Sequence, residues 1–526
     1  MGPPDRKSSV QALFAISSVL SLTLAGQHLY RAYQRLQYNY DLNFWSEDFL
    51  MTSMSKLRAG EALYGPVAEA HSSVYGPGQP LLHYALLSPL GADSSVLAHK
   101  LLGHVFVLLA VAAATGLGLR LTNQLGLSKL LRAAVLTPAF VACAYMNPVV
   151  DALHPGNIEA GLLCLCALGC AALPELGART RRALLLLLPL AALLVKQNSG
   201  VVVLAALCLV CVWGAGGRRE RVRDLLFLGA SVALSGLVLQ LAFGRSYWDW
   251  AVLVLGAHAM EWQRVRGFAS GLGPLFAPVL IVAAARLVVA LRRRAPGDAP
   301  WLRVFVLVAL YLPAALLAQL KTRGGANNTA SLGFMLALLA LPALIEAICA
   351  AKSRGLAVLS GAALLITTAA WRCQRYVPDP RDYALAESVC GFAAKRMQCG
   401  DTVWLGRGAS CYARAGKLPK DRMPSVRDVV AAGRFAELAL LGRLQREEYD
   451  VILLHEADMR FLGPDFWAPL NAHYKLFHAG QEQVAGDYWL HGFQGWGSRR
   501  VLFFERIRDT GKHRADPDYG CAGAER

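Results

Sequence analysis

Apolar residues in this chain come in long runs separated by short clusters of arginine and lysine. A membrane span needs about 20 apolar residues, and runs of that kind lie near 10–30, 96–118, 133–150, 157–174, 225–243, 273–291, 303–320, 331–350 and 355–371. The stretch from Ala183 to Gly214 is different. Lys196-Gln197-Asn198-Ser199 interrupts it after about 13 apolar residues, a helical length of about 20 Å, so it reads as one span or two. Basic residues favour the cytoplasmic side of short loops. With two spans, Arg120/Lys129/Arg132, Arg179/Arg181/Arg182, Arg218/Arg219/Arg221/Arg223, Arg292/Arg293/Arg294 and Lys352/Arg354 all lie inside; with one, every cluster from Arg218 onward lies outside. The pattern therefore predicts about eleven spans, with the N-terminus cytoplasmic and the C-terminus outside. The first run follows Arg6 and Lys7 but has no small-residue cleavage site, so it reads as a retained span.

After Trp371 the periodicity changes. Short apolar runs such as Thr402-Val403-Trp404-Leu405 and Val451-Ile452-Leu453-Leu454 alternate with helix-like stretches, the pattern of a small α/β domain. The expected organisation is thus a polytopic α-helical membrane module over 1–371 and an extracytoplasmic soluble domain over 372–526. Within the module, 31–95 is a long first external loop. Its aromatic stretch (Tyr38, Tyr40, Phe44, Trp45, Phe49) suits helices lying along the membrane interface.

Composition agrees. The chain is 55% hydrophobic and 17% charged with a mean hydropathy of +0.38, whereas soluble domains carry about a quarter charged residues. A net charge of +17 would suggest nucleic acid in a soluble protein, but here the cations orient spans and no nucleic-acid partner is expected. Most cysteines sit in apolar runs as small hydrophobes. Cys373, Cys390, Cys399, Cys411 and Cys521 fall in the C-terminal part, where an odd number allows at most two disulfides in an oxidising compartment.

The candidate chemistry lies in the segments assigned outside. Glu47 and Asp48 head a helix-like run in the first loop, where carboxylates serve either as a general base with its partner or as an N-terminal charge pair on the helix dipole. Lys321-Thr-Arg323-Gly-Gly-Ala-Asn327-Asn328 combines two cations, two glycines and two amides, an anion-binding turn or a solvated one. Asp151-Ala-Leu-His154-Pro-Gly-Asn157-Ile-Glu159 is a turn rich in ionisable groups at the membrane edge, where such groups are costly and often functional. Lys196 breaks an apolar run, as in a broken helix lining a cavity. Arg264 and Arg266 lie in the loop 244–272 among tryptophans that aromatic girdling explains. Tyr75-Gly-Pro-Gly-Gln-Pro is a Pro/Gly turn, read as structural.

The order of these features resembles the GT-C superfamily of membrane glycosyltransferases, in particular the bacterial relatives of protein mannosyltransferases and aminoarabinose transferases. The features are one early span, a first loop with the acid pair Glu47-Asp48, and a helix ending Leu57-Arg-Ala-Gly-Glu-Ala-Leu-Tyr64. Tyr75-Gly-Pro-Gly-Gln-Pro, His154-Pro-Gly-Asn157 and the turn Lys321 to Asn327 follow. The resemblance implies a sugar donor carried on a polyprenyl phosphate and a glycan, lipid or protein acceptor, met at the extracytoplasmic face of a bacterial inner or plasma membrane. It implies Asp48 or Glu47 as general base, with Asp41 an outside candidate. Donor phosphate would fall to Lys321, Arg323, Lys196, Arg264, Arg266 and His154, and substrate contacts to Asn157, Asn327 and Tyr75. With no D-x-D in the first loop, no cofactor or essential metal is expected. The alternatives are a ligase- or polymerase-like transferase relying on external Arg and His, and a lipid or polysaccharide transporter. Against a transporter stand the absence of an internal repeat and the long first loop.

Overall fold

The structure, a computed structural model, describes residues 6–41, 45–146, 153–213, 217–266, 273–322, 327–350, 380–455, 462–480 and 501–507. The N-terminal part is helical: α1 (Arg6–Leu36), α2 (Trp45–Ala59), α3 (Gly78–Leu87), α4 (Val96–Leu121), α5 (Lys129–Met146), α6 (Gly156–Ala172), α7 (Ala178–Val195), α8 (Gln197–Trp213) and α9 (Arg218–Trp248). Helices Gly273–Arg293, Ala299–Leu320 and Asn327–Ala350 follow. Among the described residues six helices are long and apolar enough to cross a membrane, and Gln197–Trp213 is a shorter apolar one. The predicted run 355–371 lies outside the described residues.

Small residues let the spans approach. Ala110 and Ala114 of α4 share one buried core with Leu163, Cys164, Ala167 and Cys170 of α6, and a Cβ on Gly161 would sit 3.9 Å from Ala110 Cβ. Starts are set locally: Ser95 caps α4, its Oγ accepting the Ala98 N–H at 3.2 Å.

The stretch from Ala183 to Trp213 forms two helices separated by one extended residue, Lys196 (φ −154°, ψ 117°). The break is held by backbone contact. A Cβ on Gly200 would lie 2.6 Å from Leu193 Cα, and one on Gly76, in the Pro/Gly turn of the first loop, 2.0 Å from the Leu194 carbonyl oxygen. Only glycine fits at either position.

The loop expected from 244 begins later. Gly244 takes φ +59° and kinks the helix instead of ending it, and a π-helical turn continues over Asp249–Val254. The tryptophans here are not all a girdle. Trp250 is fully buried and its Nε1 donates to the Gly65 carbonyl at 2.9 Å, while Trp262 is exposed.

The C-terminal segment carries a four-stranded sheet in the order β1-β2-β4-β3, from β1 (Val403–Leu405), β2 (Val451–His455), β3 (Tyr474–Gly480) and β4 (Val501–Arg506). β1 runs parallel to β2, and β4 pairs antiparallel with β2 and β3. Helix Pro380–Gln398 leads into it. Successive strand residues face opposite ways. Val403, Val451, Leu453 and Phe503 pack with Tyr38, Tyr40 and Val389 on one side. Trp404, Ile452 and Phe504 share a core with Leu63, Val74 and Trp250 on the other. The first loop thus covers both faces of the sheet. Tyr38, Tyr40 and Phe49, expected along the membrane interface, are buried inside protein instead.

Candidate functional site

Two carboxylates of the first loop, Asp48 and Asp41, meet the C-terminal segment. Asp48, in the first turn of α2, is fully buried, and both its oxygens are held. Arg422 Nε donates to Oδ2 at 2.8 Å, Arg422 Nη2 pairs with Oδ1, and the Gly408 and Ala409 N–H groups donate to Oδ1 at 2.8 and 3.1 Å. Asp41 accepts from the Ser410 N–H at 3.0 Å and from Ser410 Oγ at 2.6 Å. Apart from Arg422, the donors come from one turn after β1, opened by Gly408 at φ +96°. Two acids therefore grip one turn, a partnership no local pattern displays.

Glu47 differs from its neighbour. It is 1% exposed, and its charge partner is Lys100 of α4, with Nζ at 3.2 Å from Oε1. Lys100 Nζ also donates to the Tyr38 carbonyl at 2.9 Å. Burial raises the Glu47 carboxyl to about 7, with Asp41 adding to the rise and Lys100 and Arg35 opposing it. A carboxyl poised there changes protonation at neutral pH. Lys100 was not anticipated from sequence; its only local signal was a lysine inside an otherwise apolar run.

The second group surrounds the turn before α6. His154 is buried. Its Nδ1 accepts the Gly156 N–H at 2.9 Å, which leaves the proton of the neutral ring on Nε2, 3.1 Å from the Tyr75 hydroxyl. Burial, with Lys196 nearby, holds its pKa well below the usual value. Leu153 packs against Leu50, Met51 and Met54 of α2, and its carbonyl accepts from Gln79 Nε2 at 2.7 Å, so this turn sits beside the acid-bearing helix. Asn157 is buried next to it. Lys196, expected to face a donor phosphate, instead pairs with Glu159 of α6 at 3.0 Å. Glu159 also accepts from Ser199 Oγ, from Tyr311 OH at 2.8 Å and from Ser331 Oγ at 3.1 Å, tying four helices together.

The third group closes the loop after α9. Lys321 Nζ donates to the Leu255 carbonyl at 2.8 Å, and its backbone bridges Met260. Arg264 pairs with Glu261, while Arg266 is exposed. His258 Nε2 lies 3.0 Å from the Asp428 carbonyl of the C-terminal segment. Gln197 Nε2 reaches the Val74 carbonyl at 3.3 Å, so the region after Lys196 meets the first loop too. Arg323 lies outside the described residues, as does the Asn327 side chain. Among the described residues no group of three or more metal-ligating side chains forms.

The bundle of apolar spans, with its wrapped first loop and folded C-terminal segment, marks an integral membrane protein whose overall fold is similar to that of solved proteins. Two solved structures carry the likeness. ArnT from Cupriavidus metallidurans, bound to undecaprenyl phosphate, matches with a TM-score of 0.50 and 11% identity, over 94% of this chain and 97% of that one. The apo oligosaccharyltransferase of Archaeoglobus fulgidus matches with a TM-score of 0.50 and 10% identity, over 94% of this chain and 76% of that one. At such identities the likeness is one of fold. No protein-family model matches the chain, and no curated protein matches it in sequence.

Proposed function

We propose that the protein transfers a sugar from a polyprenyl-phosphate donor to an acceptor hydroxyl at the extracytoplasmic face of the membrane. The observation that carries this reading is Glu47, a buried first-loop carboxyl raised to about 7 and paired with Lys100, within a GT-C fold. A general base works best when its pKa lies near the working pH. Of the two adjacent acids Glu47 is the better suited, because both oxygens of Asp48 are already committed to Arg422 and two backbone amides.

In the reaction, Glu47 takes the proton of the acceptor hydroxyl as its oxygen attacks the anomeric carbon. The bond from that carbon to the lipid phosphate breaks, and the phosphate leaves with the electron pair. Lys321, Arg323, Arg264 and Arg266, with His154, are the groups assigned to the charge that develops on the phosphate. Lys196 serves this role only if it exchanges Glu159 for phosphate. Tyr75, Asn157 and Asn327 are assigned to substrate. The Cys390–Cys411 disulfide supports an oxidising compartment for the C-terminal segment, hence an extracytoplasmic site. About eleven spans and a soluble domain over 372–526 complete the proposal. The test is transfer of labelled sugar from a polyprenyl-phosphate donor by the purified protein, with Glu47→Gln as the inactive control.

A further inference from the structure

The donors that hold the first-loop acids come from a segment that the reaction above leaves without a role. Arg422 is fully buried, and its guanidinium faces Asp48 with two nitrogens while Nη1 donates to the Leu405 carbonyl at 3.1 Å. Its own backbone N–H donates to the Ala70 carbonyl of the first loop at 2.6 Å. Gly408, Ala409 and Ser410 supply three N–H groups and a hydroxyl to Asp48 and Asp41. The turn is braced from behind, because Cys411 is disulfide-bonded to Cys390 of the helix Pro380–Gln398. Asp48 is the residue next to Glu47 on α2, and the charge of Asp41 is felt by both Glu47 and Arg422.

A buried ion pair of this kind adds little net stability compared with an apolar replacement, but it fixes geometry, and breaking it strands a charge. We propose that Arg422 and the turn Gly408–Ser410 are positioning groups of the transferase: gripped through Asp48, they set the rotation and depth of α2 and so the place of Glu47 against Lys100. The C-terminal segment is then a working part of the catalytic unit and not an appended module. This rests on Glu47 being the base. A misplacement of about 1 Å costs on the order of 100-fold in rate. Arg422→Gln should therefore lower kcat by about that factor while leaving the KM for donor within roughly threefold. Arg422→Lys, which keeps the charge but not the bidentate grip, should recover part of the loss.

The two halves of the pair also make opposite electrostatic predictions. Arg422→Gln leaves the Asp48 anion uncompensated near Glu47, which raises the Glu47 pKa and moves the acidic limb of kcat/KM to higher pH. Asp48→Asn leaves the Arg422 cation uncompensated and moves the limb lower. Each shift should be about half a unit to one unit. A role confined to overall stability would lower activity without moving the limb in opposite senses.

The experiment is the pH profile of sugar transfer by the full-length wild type, Glu47→Gln, Arg422→Gln, Arg422→Lys and Asp48→Asn proteins in detergent, with hydrogen exchange of the peptide 45–59 measured on each. Opposite limb shifts with faster exchange in 45–59 for both Arg422→Gln and Asp48→Asn support the proposal. Limbs that stay fixed or move together, with Glu47→Gln inactive, overturn it. A fully active Glu47→Gln protein overturns the choice of base instead, and is recognised by that variant alone. If no transfer is seen from the wild type, unchanged exchange of 45–59 in Arg422→Gln overturns the positioning of α2 by itself.

Discussion

Lys196→Met takes the cation away from a carboxylate that has no route to water. Glu159 is 1% exposed and accepts from Lys196, Ser199, Tyr311 and Ser331. Removing one partner of a buried ion pair costs about 3–5 kcal/mol, because the remaining charge is stranded. The three hydroxyls left on Glu159 offset part of that, so the lower end, about 3 kcal/mol, is expected. This corresponds to roughly a 100-fold rise in the population of the open bundle. The protein carries its own reporter: Cys164, Cys166 and Cys170 lie fully buried on the same helix as Glu159. Their labelling by a fluorogenic maleimide, in a background with the partly exposed Cys208 and Cys349 replaced, should accelerate about 100-fold in Lys196→Met. The double variant Lys196→Met/Glu159→Gln, which strands no charge, should return most of the protection. Wild-type labelling in Lys196→Met, or a double variant no better than the single, would refute the pairing. Loss of donor affinity in Lys196→Met with full thiol protection would instead mark Lys196 as a phosphate ligand.

Gly76→Ala places a Cβ 2.0 Å from the Leu194 carbonyl oxygen, which is backbone and cannot rotate away; folded yield by size exclusion should collapse, while Gly229→Ala, with open space around it, should express like wild type. His71 is held neutral in the fold by burial, at about 4. Its contribution is therefore present above the unfolded value near 6.5 and lost as pH falls towards 4, about 2 kcal/mol at pH 5. Relative to His71→Gln, the wild type should lose thiol protection faster between pH 7 and pH 5; parallel pH profiles would contradict this. The Asp41 charge raises the Glu47 carboxyl, so Asp41→Asn should move the acidic limb of transfer to lower pH by a measurable fraction of a unit, and an alkaline shift would exclude the assignment.

The helical framework was legible because a bilayer fixes how long an apolar run must be, and because arginine placement resolved the stretch around Lys196 into two helices. The close contacts of Gly76 and Gly200 with Leu193 and Leu194 were hidden in that same pattern, since a glycine's neighbours across space leave no periodicity. Aromatic residues misled in two places. Tyr38, Tyr40 and Trp250 have the composition of an interfacial belt, but burial against the C-terminal sheet satisfies an amphipathic ring equally well. The acids of the first loop were conspicuous, yet what distinguishes Glu47 from Asp48 is Arg422, 374 residues further along the chain from Asp48, and Lys100 in the next span. Charge placement alone groups the loop cations into one phosphate cradle. Lys196, Lys321 and Arg264 each have an internal partner, and only their environment could reveal those partners.

The proposed role of Glu47 is that of base in a sugar transfer from a lipid phosphate. It is tested most directly by following labelled sugar from a polyprenyl-phosphate donor to an acceptor with purified wild-type and Glu47→Gln protein across pH 5–9. Transfer by the wild type is expected with an acidic limb near 7, and a loss of about 10²–10⁴-fold in Glu47→Gln with the limb abolished. Undiminished transfer by Glu47→Gln with the same limb would contradict it.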